Sequence, residues 1–202
     1  ETFLQALENR IILFDGAMGT EIQKLDPKPE HFPDNKDGFN DGLSFSKPEW
    51  IKGIHRKYLL AGSDCIETNT FGSNKIKLDE YGFGSQTVEF NQKNAELARS
   101  VCDEFTDRQR FVIGSMGPTG YLPSSNDPDL GQKPLSEIRE SFELQAEGLI
   151  LGSADALLIE TSQDILEVKL AVEASHIAME KTGKKVVLIS NVTLDQYGKM
   201  LL

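Results

Sequence analysis

Four short segments carry the residue types that bind a small charged molecule. Asp15-Gly16-Ala17-Met18-Gly19-Thr20-Glu21 supplies two glycines, small side chains and a run of backbone N–H groups able to hold an anion such as a carboxylate. It has neither the GxxxxGK[ST] of a nucleotide phosphate loop nor the GxGxxG of a dinucleotide loop. Its plainer role is a tight turn with Asp15 capping a helix. Glu160 ends the apolar run Ala156-Leu157-Leu158-Ile159, where an acid must be paired or hydrogen-bonded. A substrate ammonium would satisfy it, as would a neighbouring Lys, Arg or backbone N–H. Glu67 holds the same place after Cys65-Ile66, and there the structural role is the plainer one. Together, the Asp15 loop and Glu160 point to an amino acid, with loop N–H groups on its carboxylate and Glu160 on its ammonium.

Gly114-Ser115-Met116-Gly117-Pro118-Thr119-Gly120 leads into a polar stretch ending near Pro134, long enough for a lid or a substrate wall, or else an irregular surface loop. Asn69, Thr70 and Phe71 either line the same mouth or build a turn. His31, His55 and His176 have no metal-ligand or triad spacing and read as structural, with His55 on the polar side of a helical pattern. Cys65 and Cys102 lack CxxC or finger spacing and read as reduced packing groups. No residue offers itself as a general base.

The elements that must position these residues alternate. Ile11–Phe14, Asp64–Glu67, Phe111–Gly114, Ala156–Ile159 and Val186–Ile189 are short, nearly continuous apolar runs, as strands buried on both faces should be. Helical periods lie between them at Ile51, Ile54, Tyr58 and Ala61, at Asn94, Ala98, Val101 and Phe105, at Ile138, Phe142, Ala146 and Leu149, and at Leu166, Leu170, Ala174 and Ile177. The first of these is expected to open with Ser46 as N-cap and Pro48 in its first turn and to close at Gly62; the last should close at Gly183. Alternation of strand and helix means βαβ units and a parallel sheet, either a (β/α)8 barrel or a doubly wound sheet. A matching phrase runs from Gly62-Ser63-Asp64 to Ile66-Glu67-Thr68 and from Gly152-Ser153-Ala154-Asp155 to Ile159-Glu160-Thr161. A barrel would gather Asp15, Glu67, Ser115, Glu160 and Asn191 at one mouth, which favours it. Five βα units fall short of eight, and typical barrels need ~250 residues. Residues 1–202 are therefore expected to be one barrel domain, cut before its last strands, with no second domain.

Twenty-one Lys and Arg against 32 Asp and Glu give a net charge of −11, which argues against nucleic acid or an anionic membrane as partner. With 39% hydrophobic and 26% charged residues and no apolar stretch near ~18 residues, an ordinary cytoplasmic globular chain is expected.

Read together and in order, Phe14–Glu21, Ile66-Glu67-Thr68-Asn69-Thr70-Phe71-Gly72, Gly114–Gly120 and Ile159-Glu160-Thr161-Ser162-Gln163-Asp164 resemble the homocysteine-binding domain of cobalamin-dependent methionine synthase, within the homocysteine S-methyltransferase family. Asn40-Asp41, Ser46-Lys47-Pro48-Glu49 and Ile54-His55-Arg56 fit the same pattern. The resemblance implies a (β/α)8 barrel binding homocysteine at its mouth, with substrate contacts at Asp15, Gly16, Ala17, Met18, Asn69, Ser115 and Glu160. It also implies zinc holding the thiol and methylcobalamin, recharged by 5-methyltetrahydrofolate, supplying the methyl group from further modules of the same polypeptide. The family's three zinc-ligating cysteines lie on later strands, and Cys65 and Cys102 match none of them. Neither zinc nor cobalamin is thus expected to bind fully to this segment, which should transfer no methyl group alone and could self-associate through uncovered barrel edges. A homocysteine methyltransferase using betaine or S-methylmethionine and a non-catalytic amino-acid-binding module are the alternatives.

Overall fold

A computed structural model describes residues 1–202. Its sheet has four parallel strands, β1 (Cys65–Glu67), β2 (Phe111–Met116), β3 (Ala156–Ser162) and β4 (Val187–Val192), in the order β1-β2-β3-β4. Each strand lies beside its predecessor, so the winding never reverses. That excludes a doubly wound sheet, which must contain a switch point, and leaves the wall of an incomplete barrel. Eight α-helices accompany it: α1 (Phe3–Asn9), α2 (Met18–Gln23), α3 (Leu43–Ser46), α4 (Pro48–Ala61), α5 (Lys75–Glu80), α6 (Thr87–Cys102), α7 (Leu135–Leu151) and α8 (Ile165–Thr182). None is long and apolar enough to cross a membrane.

Alternation along the strands sorts side chains between two cores. Ile66, Val112, Leu157 and Ile159 face outward against Ala95 and Ala98 of α6, Phe142, Ala146 and Leu149 of α7, and Ala174 of α8. Cys65, Phe111, Ile113, Ala156 and Leu158 face inward, where Phe3 and Ala6 of α1 cover them. Phe3 meets Phe111 edge-on at 5.3 Å, so α1 closes the base of the wall. A third cluster, Phe32, Phe39, Leu43, Ile51, Ile54 and Phe90, pins residues 29–47 onto α4 and α6.

The apolar periods of α7 and α8 fall where their spacing placed them, and Ile138, Phe142, Ala146 and Leu149 are all buried; in α4 Ile51 and Ile54 are buried but Ala61 is exposed and Leu59 is buried in its stead. Gly62 and Gly183 close α4 and α8 in the left-handed conformation, φ 113° and 67°, as a C-terminal glycine should. Asp64 and Asp155 of the matching phrases do the same work at the strands' lower ends. Asp64 accepts from the Leu13 N–H at 2.9 Å and pairs with Arg10 and Arg108; Asp155 accepts from the Val112 N–H at 2.8 Å and pairs with Arg99.

Four expectations are corrected. Ile11–Phe14 forms no strand: the Leu13 carbonyl accepts from the Asp64 and Cys65 N–H groups, the Asp64 side chain takes the Leu13 N–H, and no ladder follows. With nothing on its outer side, Ile11 is 86% exposed. Ser46 ends α3 and does not cap α4, whose N-cap is Lys47 with Pro48 at the first helical position. Phe105 lies beyond the end of α6 at Cys102. His55 is fully buried, because α4 packs on β1 and α6 at once and has no wholly polar side there.

Candidate functional site

At the carboxyl ends of the strands a cleft of about 390 Å³ is lined by Asp15, Gly16, Ala17, Met18, Gly19, Glu67, Thr68, Asn69, Thr70, Phe71, Ser115 and Glu160. All seven residues expected to touch substrate line it. Asn191 does not: it is exposed on β4, the edge strand. The stretch from Gly117 to Pro134 forms no wall of this cleft either. It is tied to the start of α8, where the Asp164 carboxylate accepts from the Ser124 N–H and hydroxyl and buried Glu167 accepts from the Thr119 N–H and hydroxyl.

Asp15 caps no helix, since α2 begins after Ala17 without a side-chain cap. One of its carboxylate oxygens accepts from the Glu67 N–H at 3.0 Å, joining the loop to the end of β1; the other is buried without a partner. The N–H groups of Gly16, Ala17 and Met18 have no acceptor within the protein. Tyr58 of α4 fixes this loop by donating its hydroxyl to the Ala17 carbonyl at 2.9 Å, and its ring leaves no room for a side chain at residue 16, where a Cβ would lie 3.0 Å away.

Glu160 faces the cleft by the same alternation that turns Ala156 and Leu158 inward, and β3 becomes irregular just beyond it. The register with β4 shifts between Ile159 and Ser162, and Thr161 takes φ 61°, a conformation costly for a β-branched residue. The Ser115 hydroxyl donates to the Glu160 carboxylate at 2.5 Å. Buried Thr68 and Thr70 hold Ser115 in turn: the Ser115 N–H donates to the Thr68 hydroxyl at 3.0 Å and the Thr70 hydroxyl donates to the Ser115 carbonyl at 2.7 Å. The Gln145 amide donates to the Thr70 carbonyl at 2.8 Å from α7. Asn69 is buried against the Asn40 carbonyl and the Ser44 hydroxyl, so its amide orients the loop as well as lining the cleft. The supporting roles of Tyr58, Thr68 and Gln145 gave no signal in the sequence, where Tyr58 read only as part of a helical period and Thr68 as the end of a strand, because their contacts span tens of residues.

Three carboxylates, Asp15, Glu67 and Glu160, converge here, and none of the twelve lining residues is Lys, Arg or His. Burial pushes Asp15 up to about 7, opposed by the Glu67 N–H and aided by the charge of Glu160. Burial likewise raises Glu67 to about 8, helped by the charges of Glu160 and Asp15 and by its position within hydrogen-bonding reach of Glu160. The structural role first given to Glu67, a carboxylate held by a neighbouring Lys, Arg or backbone N–H, is not what the fold provides, since no cation lines the cleft and its carboxylate accepts from no N–H. The combination of an acidic end and a loop of free N–H donors suits a compact zwitterion.

A sulfur-ligated zinc does not fit these residues. The Cys65 thiol faces the Leu13 carbonyl at 3.5 Å and the Cys102 thiol the Phe111 carbonyl at 3.8 Å, both outside the cleft. Burial raises both thiols, Cys102 to about 12, so neither offers the thiolate that zinc takes. The three carboxylates have no metal-holding arrangement. Both histidine nitrogens of His55 are buried without partners, and burial lowers that group to about 4.

Comparison with known proteins agrees with this geometry. The chain is 39% identical over 201 residues to methionine synthase of Mycobacterium tuberculosis and 38% identical over 201 residues to that of Mycobacterium leprae, covering 98% of this chain in each case. It spans only 16% of the length of those relatives. Among solved structures, the homocysteine methyltransferase MmuM from Escherichia coli superposes with a TM-score of 0.74 in its metallated form and 0.77 in its oxidized form. The identity is 20%, over 96% of this chain and 68% or 66% of that one, so this likeness speaks for the fold alone. The family model for homocysteine S-methyltransferases matches residues 12–202, and the chain belongs to that family.

Proposed function

We propose that residues 1–202 are the homocysteine-binding part of a methionine synthase, and that their own contribution is to hold the amino acid's zwitterionic end. The observation that carries this reading is one cleft lined both by three carboxylates and by loop N–H groups with no acceptor in the protein, in a chain of this family. The ammonium sits among Glu160, Glu67 and Asp15, and the carboxylate takes the N–H groups of Gly16, Ala17 and Met18. Asn69 and Ser115 complete the polar lining. The thiol points out of the polar end toward the mouth, where the methyl group arrives from methylcobalamin. Zinc, cobalamin and the methyltetrahydrofolate that recharges it are held by residues and modules outside these 202. Identity of 38–39% to two methionine synthases supports this donor over betaine or S-methylmethionine.

The test is calorimetric titration of the chain with L-homocysteine and with 4-mercaptobutyrate, which lacks the ammonium. Homocysteine should bind and mercaptobutyrate should not, and Glu160→Gln should weaken homocysteine at least tenfold, a loss of ~1.4 kcal/mol for one desolvated charge-assisted contact. Equal binding of the two compounds would remove the basis of the proposal.

A further inference from the structure

Glu67 and Glu160 stand on β1 and β3, yet their carboxyl groups come within hydrogen-bonding reach above Ser115 of the strand between them. Two carboxylates in such contact need a proton between them. Nothing else in the cleft can supply a positive charge. The groups facing Glu67 are Asp15 from the loop before α2, Glu160 from β3 and uncharged Ser115 from β2. Asp64, just before β1, is committed to Arg10 and Arg108 at the strand's opposite end.

We infer that Glu67 carries this proton in the free protein, bridging to Glu160 as a stand-in for a ligand's ammonium, and that an entering ammonium drives the proton off to solvent. The inference rests on the amino-acid reading given above and adds to it a role for Glu67 as the residue that sets how binding depends on pH. The exchange balances: the ligand enters as a zwitterion with its ammonium already charged, the Glu67 carboxyl becomes a carboxylate, and one proton passes to buffer. Without the ligand, the carboxyl O–H of Glu67 and the Ser115 hydroxyl both donate to Glu160 and keep it aimed into the cleft. With it, ammonium N–H groups take over the contact to Glu160, and the positive charge favours ionisation of Glu67. Burial, which raises Glu67 to about 8, places this exchange across neutral pH. Asp15, raised to about 7, titrates over the same range, so its proton and that of Glu67 are exchanged together.

The experiment uses L-norvaline, which has the shape of homocysteine but no thiol, so that no sulfur proton enters the count. Binding to the 202-residue chain is measured by calorimetry across about pH 6 to 8 in buffers of different ionisation enthalpy, for the wild type and for Glu67→Gln. The wild type should tighten with pH by up to tenfold per unit and release close to one proton near neutrality. Glu67→Gln, which keeps a neutral hydrogen-bonding group toward Glu160, should lose most of that slope and most of that release. Wild-type binding that is flat with pH and releases no proton overturns the inference and leaves the amino-acid reading standing. Failure of the wild type to bind either norvaline or homocysteine sinks the amino-acid reading and with it the exchange. Should Glu67→Gln not fold, carbon-13 titration of the Glu67 carboxyl in the wild type decides: a value near the ordinary glutamate range, about 4.3, overturns the inference, and a value that falls on saturation with norvaline supports it.

Discussion

Replacing Glu67 by Gln should make the free protein more stable, and more so in mildly alkaline than in acid solution. Burial and the two facing acids raise Glu67 from 4.5 to about 8. A carboxyl raised on folding contributes stability that is full below its unfolded value and is lost as pH climbs through the folded one. At ~1.4 kcal/mol per unit, the interval from 4.5 to about 8 caps that loss at roughly 5 kcal/mol. Glu67 is only partly buried, and water reaching it from the open mouth reduces the loss, so about 2 kcal/mol between about pH 5 and pH 8 is the expectation. Gln carries no charge at either pH and escapes this loss. For a chain of this size ~2 kcal/mol corresponds to a Tm difference of about 4–8 °C in favour of the variant near pH 8, shrinking to a fraction of that near pH 5. Thermal unfolding followed by circular dichroism at the two pH values, for both proteins, reads it directly. A variant that melts below the wild type at the higher pH, or with the same offset at both, would refute the reasoning, since the first denies repulsion in the cleft and the second denies that it titrates.

Ser115→Ala removes the hydroxyl that donates to Glu160 and should weaken amino-acid binding about fivefold, or ~1 kcal/mol, with little change in Tm; calorimetry and a melt separate the two. Gly148→Ala should destabilise by ~2 kcal/mol in urea unfolding although alanine is the better helix former, because a Cβ there would lie 2.3 Å from the Val88 carbonyl oxygen where α6 and α7 touch. Asp164→Ala deletes the N-cap of α8 and both contacts to Ser124, so a loss of ~2 kcal/mol and faster proteolytic cleavage between Gly117 and Pro134 are expected.

What could be read from the sequence and what could not divide along the range of the interactions. The four long helices α4, α6, α7 and α8 were legible because, as in α7 with Ile138, Phe142, Ala146 and Leu149, apolar residues repeat on one face, and Gly62 and Gly183 mark ends that any L side chain would strain; the short α1, α3 and α5 carry no such repeat and were not legible. The cleft residues were legible because each follows an apolar run, and in parallel strands such positions share one end of the sheet. Ile11–Phe14 carried the right residues for a strand, but a ladder needs two partners or one long one, and the segment meets only the short β1. His55 sits between Ile54 and Arg56 in a pattern that reads as surface; only tertiary packing puts α4 between neighbours. Glu67 was misjudged for a different reason. Composition supplies 21 Lys and Arg, yet none stands at the mouth, and the spatial absence of a cation has no local signature. The left-handed turn at Thr161, just past Glu160, is likewise invisible, since threonine is a strand former and disfavours φ 61°.

Ser115 explains how acids on non-adjacent strands can meet. Neighbouring strands lie ~4.8 Å apart, so the ends of β1 and β3 are separated by about twice that, and only long side chains leaning inward over a small residue on β2 can close the gap. Glutamate at 67 and 160 and serine at 115 satisfy this, whereas aspartate at either end would fall short and a large residue at 115 would keep the carboxyls apart. The arrangement that makes a receptor for an ammonium is therefore also what holds like charges together when no ammonium is present. Stability and binding are opposed at this one place: neutralising Glu67 should raise the Tm of the free protein while weakening its grip on an amino acid at alkaline pH, and adding the amino acid should raise the Tm of the wild type most where its carboxylates repel most.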